Sequence, residues 1–368
     1  MSCHIRSAAT VVTARFTRCA LLIALACLTT CAKPSAPALQ SRSYLLGFSA
    51  MPPRLDVATV IRTIDTWSPH SDAALLSLTV PWRSMLSDTA ASVIIRREQL
   101  ELVQLYRSRH FPIVAMIDAT DGLAREREAP ELVALGRSIR EPAVQSVYHE
   151  YVAAVDSILH PDYLALVMET NLSRLALPRD VYDSLRTMVN ASAASLAASG
   201  SAARLYVSVQ VETAWGRLPQ TGSFVGIDDD LRDFPFIKAL GLSSYPFLGG
   251  FAEPEDVPID YYRRLVPNGS LPVLVVEGGW SSVSVPGVAS SPERQARYIK
   301  RQMQVADEAR ALAVFQITFT DLDLSSFAVP DGSILPLFAH LGLVDTAFRP
   351  KPALAEWDHA FARPWREK

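Results

Sequence analysis

Eight short apolar runs recur along the chain from residue 44 onward, and segments with helical periodicity lie between them. Alternation of this kind favours a parallel sheet with helices packed around it. The runs are not followed by the Gly-x-Gly-x-x-Gly turn that marks dinucleotide-binding folds. The sequence therefore predicts an α/β fold, a single (β/α)₈ TIM barrel over residues 43–368. The predicted strands are Tyr44–Ser49, Ala74–Val80, Pro112–Asp118, Tyr163–Met168, Leu205–Val211, Leu240–Tyr245, Val273–Val276 and Ala313–Phe319.

Start and stop signals mark some of the predicted helices. Ser291 precedes a proline and is expected to cap a helix that begins at the next residue. Gly200 is expected to end the helix that begins at Arg179. Helical periodicity predicts further helices near Val57–Ile64, Arg97–Tyr106 and Ala143–Leu159.

A secretory signal is predicted over residues 1–31. Three arginines precede the apolar stretch Cys19–Leu28, which is too short for a transmembrane helix. The four residues that end at Cys31, Leu-Thr-Thr-Cys, resemble a bacterial lipobox, so Cys31 is expected to be lipidated, with Cys27 as the alternative. Ordinary signal cleavage, giving a soluble periplasmic or extracellular protein, is the other interpretation. Residues 32–42, rich in Pro, Ala and Ser, are expected to tether the domain to the cell envelope.

The cysteines, histidines and net charge exclude several classes of site. All four cysteines lie within the first 31 residues, so the predicted barrel has no disulfide and no thiolate metal site. Loss of that segment leaves a mildly acidic body without basic runs, which argues against nucleic acid as a partner. The seven histidines show no paired spacing, and no Ser-His-Asp arrangement stands out. The sequence therefore predicts a monomer with a neutral substrate, no metal and no cofactor.

Side chains that follow the strands of such a barrel converge on one cleft at its C-terminal end. Glu277 lies at the end of an otherwise apolar strand, and Glu169 follows another. Two carboxylates presented in this way are the minimal equipment for acid/base and nucleophilic chemistry on a glycosidic bond. Carboxylates, amides and aromatic rings together suit a sugar-binding groove. The predicted substrate contacts are Trp82, Arg83, Asp118, Asn171, Gln210, Glu212, Tyr245, Trp280 and Gln316.

Each of these side chains also has a structural interpretation. A single glutamate at a strand end is commonly a solvated rim residue or half of an ion pair, and the tryptophans and Tyr245 are also suited to core packing. Glu212 competes for the catalytic role because it, too, projects after a strand. Acidic residues in the loop 121–128 suggest a cation site, but the interspersed Arg125 and Arg127 favour a solvated loop.

Three of the site positions resemble the retaining glycoside hydrolases of clan A: a carboxylate after strand four, a tyrosine after strand six, and a carboxylate before Gly-Trp after strand seven. Leu240–Gly250 resembles the strand-six segment of family 53, the endo-β-1,4-galactanases, and Gly342–Trp357 looks like the last helix of a glycoside hydrolase. The resemblance implies that Glu277 is the nucleophile, Glu169 the general acid/base and Tyr245 the phenol that orients the nucleophile. It also implies hydrolysis of a β-linked poly- or oligosaccharide with retention, at a carboxyl separation of about 5–5.5 Å.

The same resemblance implies a more apolar or more anionic environment around Glu169 than around Glu277, so that Glu169 can donate a proton near neutrality. Clan A enzymes carry asparagine before the acid/base, where this chain has Met168, and Asn171 is the candidate substitute. Strand three ends in Asp118 instead of the histidine expected for a galactanase. These departures support an alternative function, a catalytically inactive carbohydrate-binding surface lipoprotein on the same barrel.

Overall fold

The computed structural model describes residues 40–218, 222–266 and 269–366. In it, eight parallel strands close into a barrel in chain order, which confirms the predicted (β/α)₈ fold. The predicted signal segment, Cys31 and most of the predicted tether lie outside the described residues. The strands are β1 (Leu45–Ser49), β2 (Ala73–Thr79), β3 (Ile113–Asp118), β4 (Tyr163–Ala165), β5 (Arg204–Gln210), β6 (Ala239–Ser244), β7 (Val273–Gly278) and β8 (Ala313–Gln316).

Helices alternate with the strands along the chain and surround the barrel. Among the residues described, no helix is both long enough and apolar enough to cross a membrane. The helices are α1 (Val57–Trp67), α2 (Trp82–Leu86), α3 (Ala91–Glu98), α4 (Leu100–Ser108), α5 (Pro130–Ala134), α6 (Pro142–Leu159), α7 (Thr170–Ala176), α8 (Arg179–Ala198), α9 (Val211–Ala214), α10 (Asp228–Asp233), α11 (Pro292–Ala309) and α12 (Pro352–Phe361), and 3₁₀ turns lie at Ser68–His70, Pro254–Asp256, Arg263–Leu265, Leu324–Ser326 and Leu335–Phe338.

Local sequence signals set the ends of several helices. The Ser291 hydroxyl accepts a hydrogen bond from the Arg294 amide at 3.2 Å, and Pro292 is the first residue of α11, as predicted. Gly200, with a φ of +76°, follows the end of α8, where a left-handed residue terminates a helix. The single helix predicted near residues 97–106 is instead two short helices, α3 and α4.

The folded domain begins slightly before the predicted boundary at residue 43. Arg42 pairs with Asp72 at 2.7 Å, and the Arg42 side chain is only 3% exposed. The backbone of Arg42 also forms a β-bridge with Trp365. Residue 42 therefore belongs to the barrel and not to the tether, because its charge is buried and paired within the domain.

Side chains along each strand alternate between the barrel interior and the surrounding helices. The interior is filled by apolar side chains that contact one another, and a larger apolar core lies between the strands and the helices. A filled interior leaves the ends of the strands as the place for a ligand. The interior set is Ala73, Leu75, Val114, Met116, Ala165, Met168, Tyr206, Ala239, Leu274, Val276, Ala313 and Phe315.

One irregularity in strand pairing decides where Glu277 points. β6 and β7 pair regularly up to Leu242 and Val275. Ser243 then pairs with Glu277, so Val276 is an extra residue in β7. Val275 packs toward the helices and Val276 toward the interior, so in an unbroken strand Glu277 would face the helices. The bulge turns the carboxylate inward beside Ser243, a common use of bulges next to functional sites.

Candidate active site

Glu169 follows β4 at the C-terminal end of the barrel. The strand ends at Ala165, earlier than the predicted Met168, and the chain turns before α7 begins. Glu169 adopts the left-handed backbone conformation, with a φ of +47°, which costs a non-glycine residue about 1–3 kcal/mol. Its amide donates a hydrogen bond to the Ser208 hydroxyl at 2.9 Å, which holds the turn in place. The strained turn positions the Glu169 carboxylate at the mouth of the barrel.

Arg125, from the loop after β3, is buried between two carboxylates. Its Nε donates to Oε2 of Glu169 at 2.9 Å, and its Nη1 donates to Oδ1 of Asp118 at 2.7 Å. The exposed fractions of these side chains are 7% for Arg125, 10% for Glu169 and 22% for Asp118. The sequence-based interpretation of this loop as solvated is therefore wrong for Arg125, because two carboxylates from other parts of the site draw its guanidinium inward. Arg127, in contrast, is 62% exposed.

Glu277 approaches the same site from β7. Its Oε2 accepts hydrogen bonds from the hydroxyls of Ser243, at 3.2 Å, and Tyr245, at 3.4 Å. Burial and, secondly, the negative charge of Glu169 raise the pKa of Glu277 to about 8, against an opposing effect of Arg125. Both effects favour the protonated form of the Glu277 carboxyl. Such an environment was expected around Glu169, but the charge in direct contact with Glu169 is the cation of Arg125.

The hydroxyl of Ser243 connects the two glutamates. Its oxygen lies 2.7 Å from Oε1 of Glu169 and 3.2 Å from Oε2 of Glu277. Since a single oxygen contacts both, these two carboxylate oxygens are at most about 6 Å apart, within reach of one glycosidic bond. Ser243 was absent from the predicted site. The signal that identifies it is the alternation along β6, which places Ser243 on the inner face with Ala239.

No protein-family model and no curated protein matches this sequence. Solved structures do match. An exo-β-1,4-mannosidase from Opitutaceae bacterium strain TAV5 aligns with a TM-score of 0.63 and 17% identity, over 88% of this chain but only 60% of its own. The GH53 catalytic domain of Ignisphaera aggregans has a TM-score of 0.59 and 13% identity, over 90% of this chain and 98% of its own. Xylanase 10B from Thermotoga maritima has a TM-score of 0.53 and 12% identity, over 87% and 95%.

This chain has the same (β/α)₈ barrel fold as these glycoside hydrolases. The likeness establishes the fold, and the site must be judged on its own residues. Of the predicted site, this glycoside hydrolase-type barrel brings Asp118, Glu169, Tyr245 and Glu277 together at one end. Among the described residues, there is no cluster of three or more His, Cys, Asp or Glu side chains that is arranged to hold a metal ion.

Glu212 is buried and serves the architecture of the barrel mouth. Its Oε1 accepts from the hydroxyls of Ser244 at 3.1 Å and Tyr261 at 3.0 Å. Its Oε2 accepts from the Tyr245 amide at 3.0 Å and from Nε2 of Gln210 at 2.5 Å. Burial raises the pKa of Glu212 to about 7. Glu212 is 0% exposed, and each of its oxygens accepts from two protein donors. Gln210 is 4% exposed, and its amide bonds Glu212 and the Thr213 backbone. Neither residue is placed to contact a substrate, contrary to the prediction.

Neither Asn171 nor Met168 presents a free polar group to the cleft. The Asn171 side chain donates from Nδ2 to the Gln210 carbonyl and accepts at Oδ1 from the Gln210 amide, each at 2.8 Å. This side chain therefore links α7 to β5. Met168 is 1% exposed and lies in the barrel interior, where its sulfur accepts from the Ser208 hydroxyl at 3.7 Å. The proposed substitution of Asn171 for the missing asparagine is therefore wrong, because its amide is already committed to the backbone.

The tryptophans predicted to contact sugar are core residues. Trp280 is fully buried and packs against Tyr298, with ring centroids 5.3 Å apart and ring planes tilted by 34°. Its Nε1 donates to the Ser290 hydroxyl at 3.0 Å. Trp82 is fully buried in α2 and packs against Tyr148 at 6.2 Å. Neither ring presents a face to the cleft, because helix packing covers both.

The remaining two predicted contacts, Gln316 and Arg83, are bonded to neighbouring helices. Gln316 is 1% exposed at the end of β8, and its Nε2 donates to Oε1 of Gln302 on α11 at 2.7 Å. Arg83 lies on α2 with an exposed side chain, and its amide donates to Oε2 of Glu131 on α5 at 2.9 Å. Gln316 therefore faces the helices, because the neighbouring Phe315 faces the barrel interior. Arg83 follows β2, but its side chain is exposed to solvent.

Proposed function

We propose that this protein is a glycoside hydrolase that cleaves a β-linked poly- or oligosaccharide with retention, using Glu169 and Glu277 as its catalytic pair. The observation that carries the proposal is the Ser243 hydroxyl shared by both carboxyls. The resulting limit of about 6 Å between two carboxylate oxygens fits the separation of about 5–5.5 Å of retaining enzymes and is shorter than the roughly 6.5–9.5 Å of inverting ones. The names of the matched structures, which include a β-1,4-mannosidase and xylanases, support a β-linked substrate.

The charges of the pair suit double displacement. Retention requires one carboxylate that attacks the anomeric carbon and one carboxyl that protonates the leaving oxygen. The charged donor Arg125 contacts Glu169, while burial and the charge of Glu169 raise the pKa of Glu277 to about 8. A carboxylate paired with a cation beside a carboxyl of raised pKa is the combination that the first chemical step needs.

The test is to incubate the purified protein with β-mannans, β-galactans, β-glucans and xylans and to follow released reducing sugar. Proton NMR of the first product tells whether the anomeric configuration is retained. We expect retention, and a loss of about 10²–10⁴-fold in Glu169→Gln and in Glu277→Gln. Inversion would exclude the retaining mechanism, and undiminished turnover in both variants would exclude this site.

A second candidate function is sugar binding without hydrolysis. Met168 in the barrel interior and the commitment of Asn171 to the backbone favour it, because clan A enzymes use an asparagine beside the acid/base. Calorimetric titration with the same polysaccharides separates the two functions. Tight binding by the wild type without released sugar, unchanged in Glu277→Gln, would support the binding protein.

We also propose that the protein is exported and held in the cell envelope by a lipid on Cys31, because the lipobox-like residues precede that cysteine. The test is expression in a bacterial host with fractionation of membranes. Cys31→Ala is expected to move the protein to the soluble fraction, whereas Cys27→Ala, the matched control, is expected to leave it in the membrane. The reverse result would assign the lipid to Cys27.

A further inference from the structure

The two glutamates differ in the kind of group that contacts them. Glu169 receives a charged donor, Nε of Arg125, at 2.9 Å, and the Ser243 hydroxyl at 2.7 Å. In the described part of the chain, the hydrogen bonds to Glu277 come from two neutral hydroxyls, Ser243 and Tyr245, at 3.2 and 3.4 Å. The cation of the site is therefore on the side of Glu169.

This difference decides which carboxyl is charged before substrate binds. A guanidinium in direct contact stabilises a carboxylate strongly, whereas longer hydrogen bonds from hydroxyls do so weakly. Burial and the nearby charge of Glu169 favour the neutral form of Glu277, and its raised pKa has the same direction. A nucleophile must be ionised and an acid must be protonated.

We propose that Glu169 is the nucleophile and Glu277 the general acid/base, the reverse of the roles that the family resemblance implies, and that Arg125 is the positioning residue that sets this exchange. The inference rests on the proposed glycosidase function and adds to it the assignment of each residue. Its geometric basis is that the Arg125 guanidinium bonds Asp118 and Glu169 directly, whereas neither of these two bonds goes to Glu277.

In the first step, a carboxylate oxygen of Glu169 bonds to the anomeric carbon as the bond from that carbon to the leaving oxygen breaks. The leaving oxygen keeps the electron pair and takes the proton of Glu277. In the second step, a water oxygen bonds to the same carbon, Glu277 takes a proton from that water, and the electron pair of the ester bond returns to Glu169. Asp118, 2.7 Å from Arg125, keeps the guanidinium charge compensated while Glu169 is esterified.

The test is to treat the full chain with a panel of 2,4-dinitrophenyl 2-deoxy-2-fluoro-β-glycosides, with manno, galacto, gluco and xylo rings, and to map labelled peptides by mass spectrometry. We expect stoichiometric release of dinitrophenolate and a fluorosugar on Glu169. A label on Glu277 would overturn the exchange and leave the glycosidase function intact. Absence of both release and label across the panel would overturn the glycosidase function, and the exchange with it.

A second measurement uses azide with unfluorinated dinitrophenyl β-glycosides. These substrates need no acid, so Glu277→Ala is expected to regain rate with azide and to form the β-glycosyl azide. Glu169→Ala is expected to form the α-glycosyl azide. The opposite pattern would overturn the assignment.

The role of Arg125 is tested by the pH profile of kcat/KM. Arg125→Gln is expected to move the acidic limb to higher pH, because the attacking carboxylate loses its counter-charge while Asp118 remains nearby. Arg127→Gln is the control, since Arg127 pairs with Asp121 on the same loop and is 62% exposed. If the acidic limb of the kcat/KM profile stays at its wild-type pH in Arg125→Gln, Arg125 has only a structural role.

Discussion

Ser243 and Glu277 face each other because β7 carries one residue more than β6 at this point. The pairing passes from Leu242 with Val275 directly to Ser243 with Glu277. In a regular strand of the same sequence, Val276 would pair with Ser243 and the Glu277 carboxylate would lie among the helices. Ser243 would then have one glutamate as a partner instead of two. The bulge, more than the end of the strand, creates the pair of carboxyls.

Removal of the shared hydroxyl is expected to weaken catalysis without unfolding the protein. Hydrogen bonds to charged groups contribute about 1.5–3 kcal/mol, so Ser243→Ala is expected to lower kcat/KM about 10–100-fold. Steady-state kinetics on a dinitrophenyl β-glycoside measure the loss. Ser244→Ala is the matched control, because its hydroxyl donates to Glu212 and not to the pair. Equal losses of kcat/KM in the two variants would contradict the bridging role.

The buried ion pair of Arg125 is expected to matter for stability as well as for charge. Arg125→Ala leaves Asp118 and Glu169 without their cation, and breaking a buried pair in this way costs about 3 kcal/mol or more. Arg127→Ala breaks an ion pair whose arginine is 62% exposed. We expect this variant to change the free energy of unfolding by less than about 1 kcal/mol. Urea denaturation compares the two free energies of unfolding, and similar values would show that Arg125 is not held as described.

The raised pKa of Glu277 predicts a specific dependence of stability on pH. Between its ordinary value of 4.5 and about 8, the folded protein holds a proton that the unfolded chain releases. The contribution of Glu277 to stability is therefore fully present below pH 4.5 and is lost as the pH rises through about 8. Glu277→Gln removes this loss, so the variant is expected to melt above the wild type at pH 9 and close to it at pH 4. If the melting temperatures of the wild type and the variant differ equally at both pH values, the raised pKa of Glu277 is contradicted.

Glu212 allows a test that separates a structural carboxylate from a catalytic one. Glu212→Gln is expected to fold and to keep most activity, because the hydroxyls of Ser244 and Tyr261 can turn to accept from the new amide while its oxygen stays with Tyr245 and Gln210. Glu212→Ala leaves these donors unpaired beside a cavity and is expected to lower the free energy of unfolding by about 2–4 kcal/mol. A loss of more than 10²-fold in kcat for the Gln variant would instead place Glu212 in the reaction.

The fold was predictable because each barrel strand is an apolar run bounded by polar residues, and eight such runs leave few alternatives. The ends of the strands were harder to predict from the sequence. β4 stops at Ala165 because the next residues turn toward the left-handed Glu169, and an apolar sequence such as Leu-Val-Met gives no sign of that turn. The extra residue in β7 is equally hard to predict from the sequence, since Val276 resembles any other valine in a strand.

The site was predictable in its carboxylates and in Tyr245. Glu169 and Glu277 interrupt apolar runs and are visible for that reason. Arg125 was not, because its burial depends on Glu169, which lies 44 residues further along the chain. Trp280 follows Glu277 as a sugar platform would, but its ring packs inward on Tyr298, and sequence does not distinguish the two orientations.

The Ser243 hydroxyl has a single hydrogen and can donate it to one carboxylate at a time. Its shorter distance, 2.7 Å, is to Glu169, so in the free protein the hydrogen bonds Glu169 most of the time and Glu277 the rest. In the proposed cycle the negative charge leaves Glu169 when the sugar ester forms and appears on Glu277 once that residue has given up its proton. The hydroxyl hydrogen then turns toward Glu277 and stabilises the negative charge of that residue, which acts as the base in the second step. Neutron diffraction of the free and fluorosugar-trapped protein would see this hydrogen in two different places.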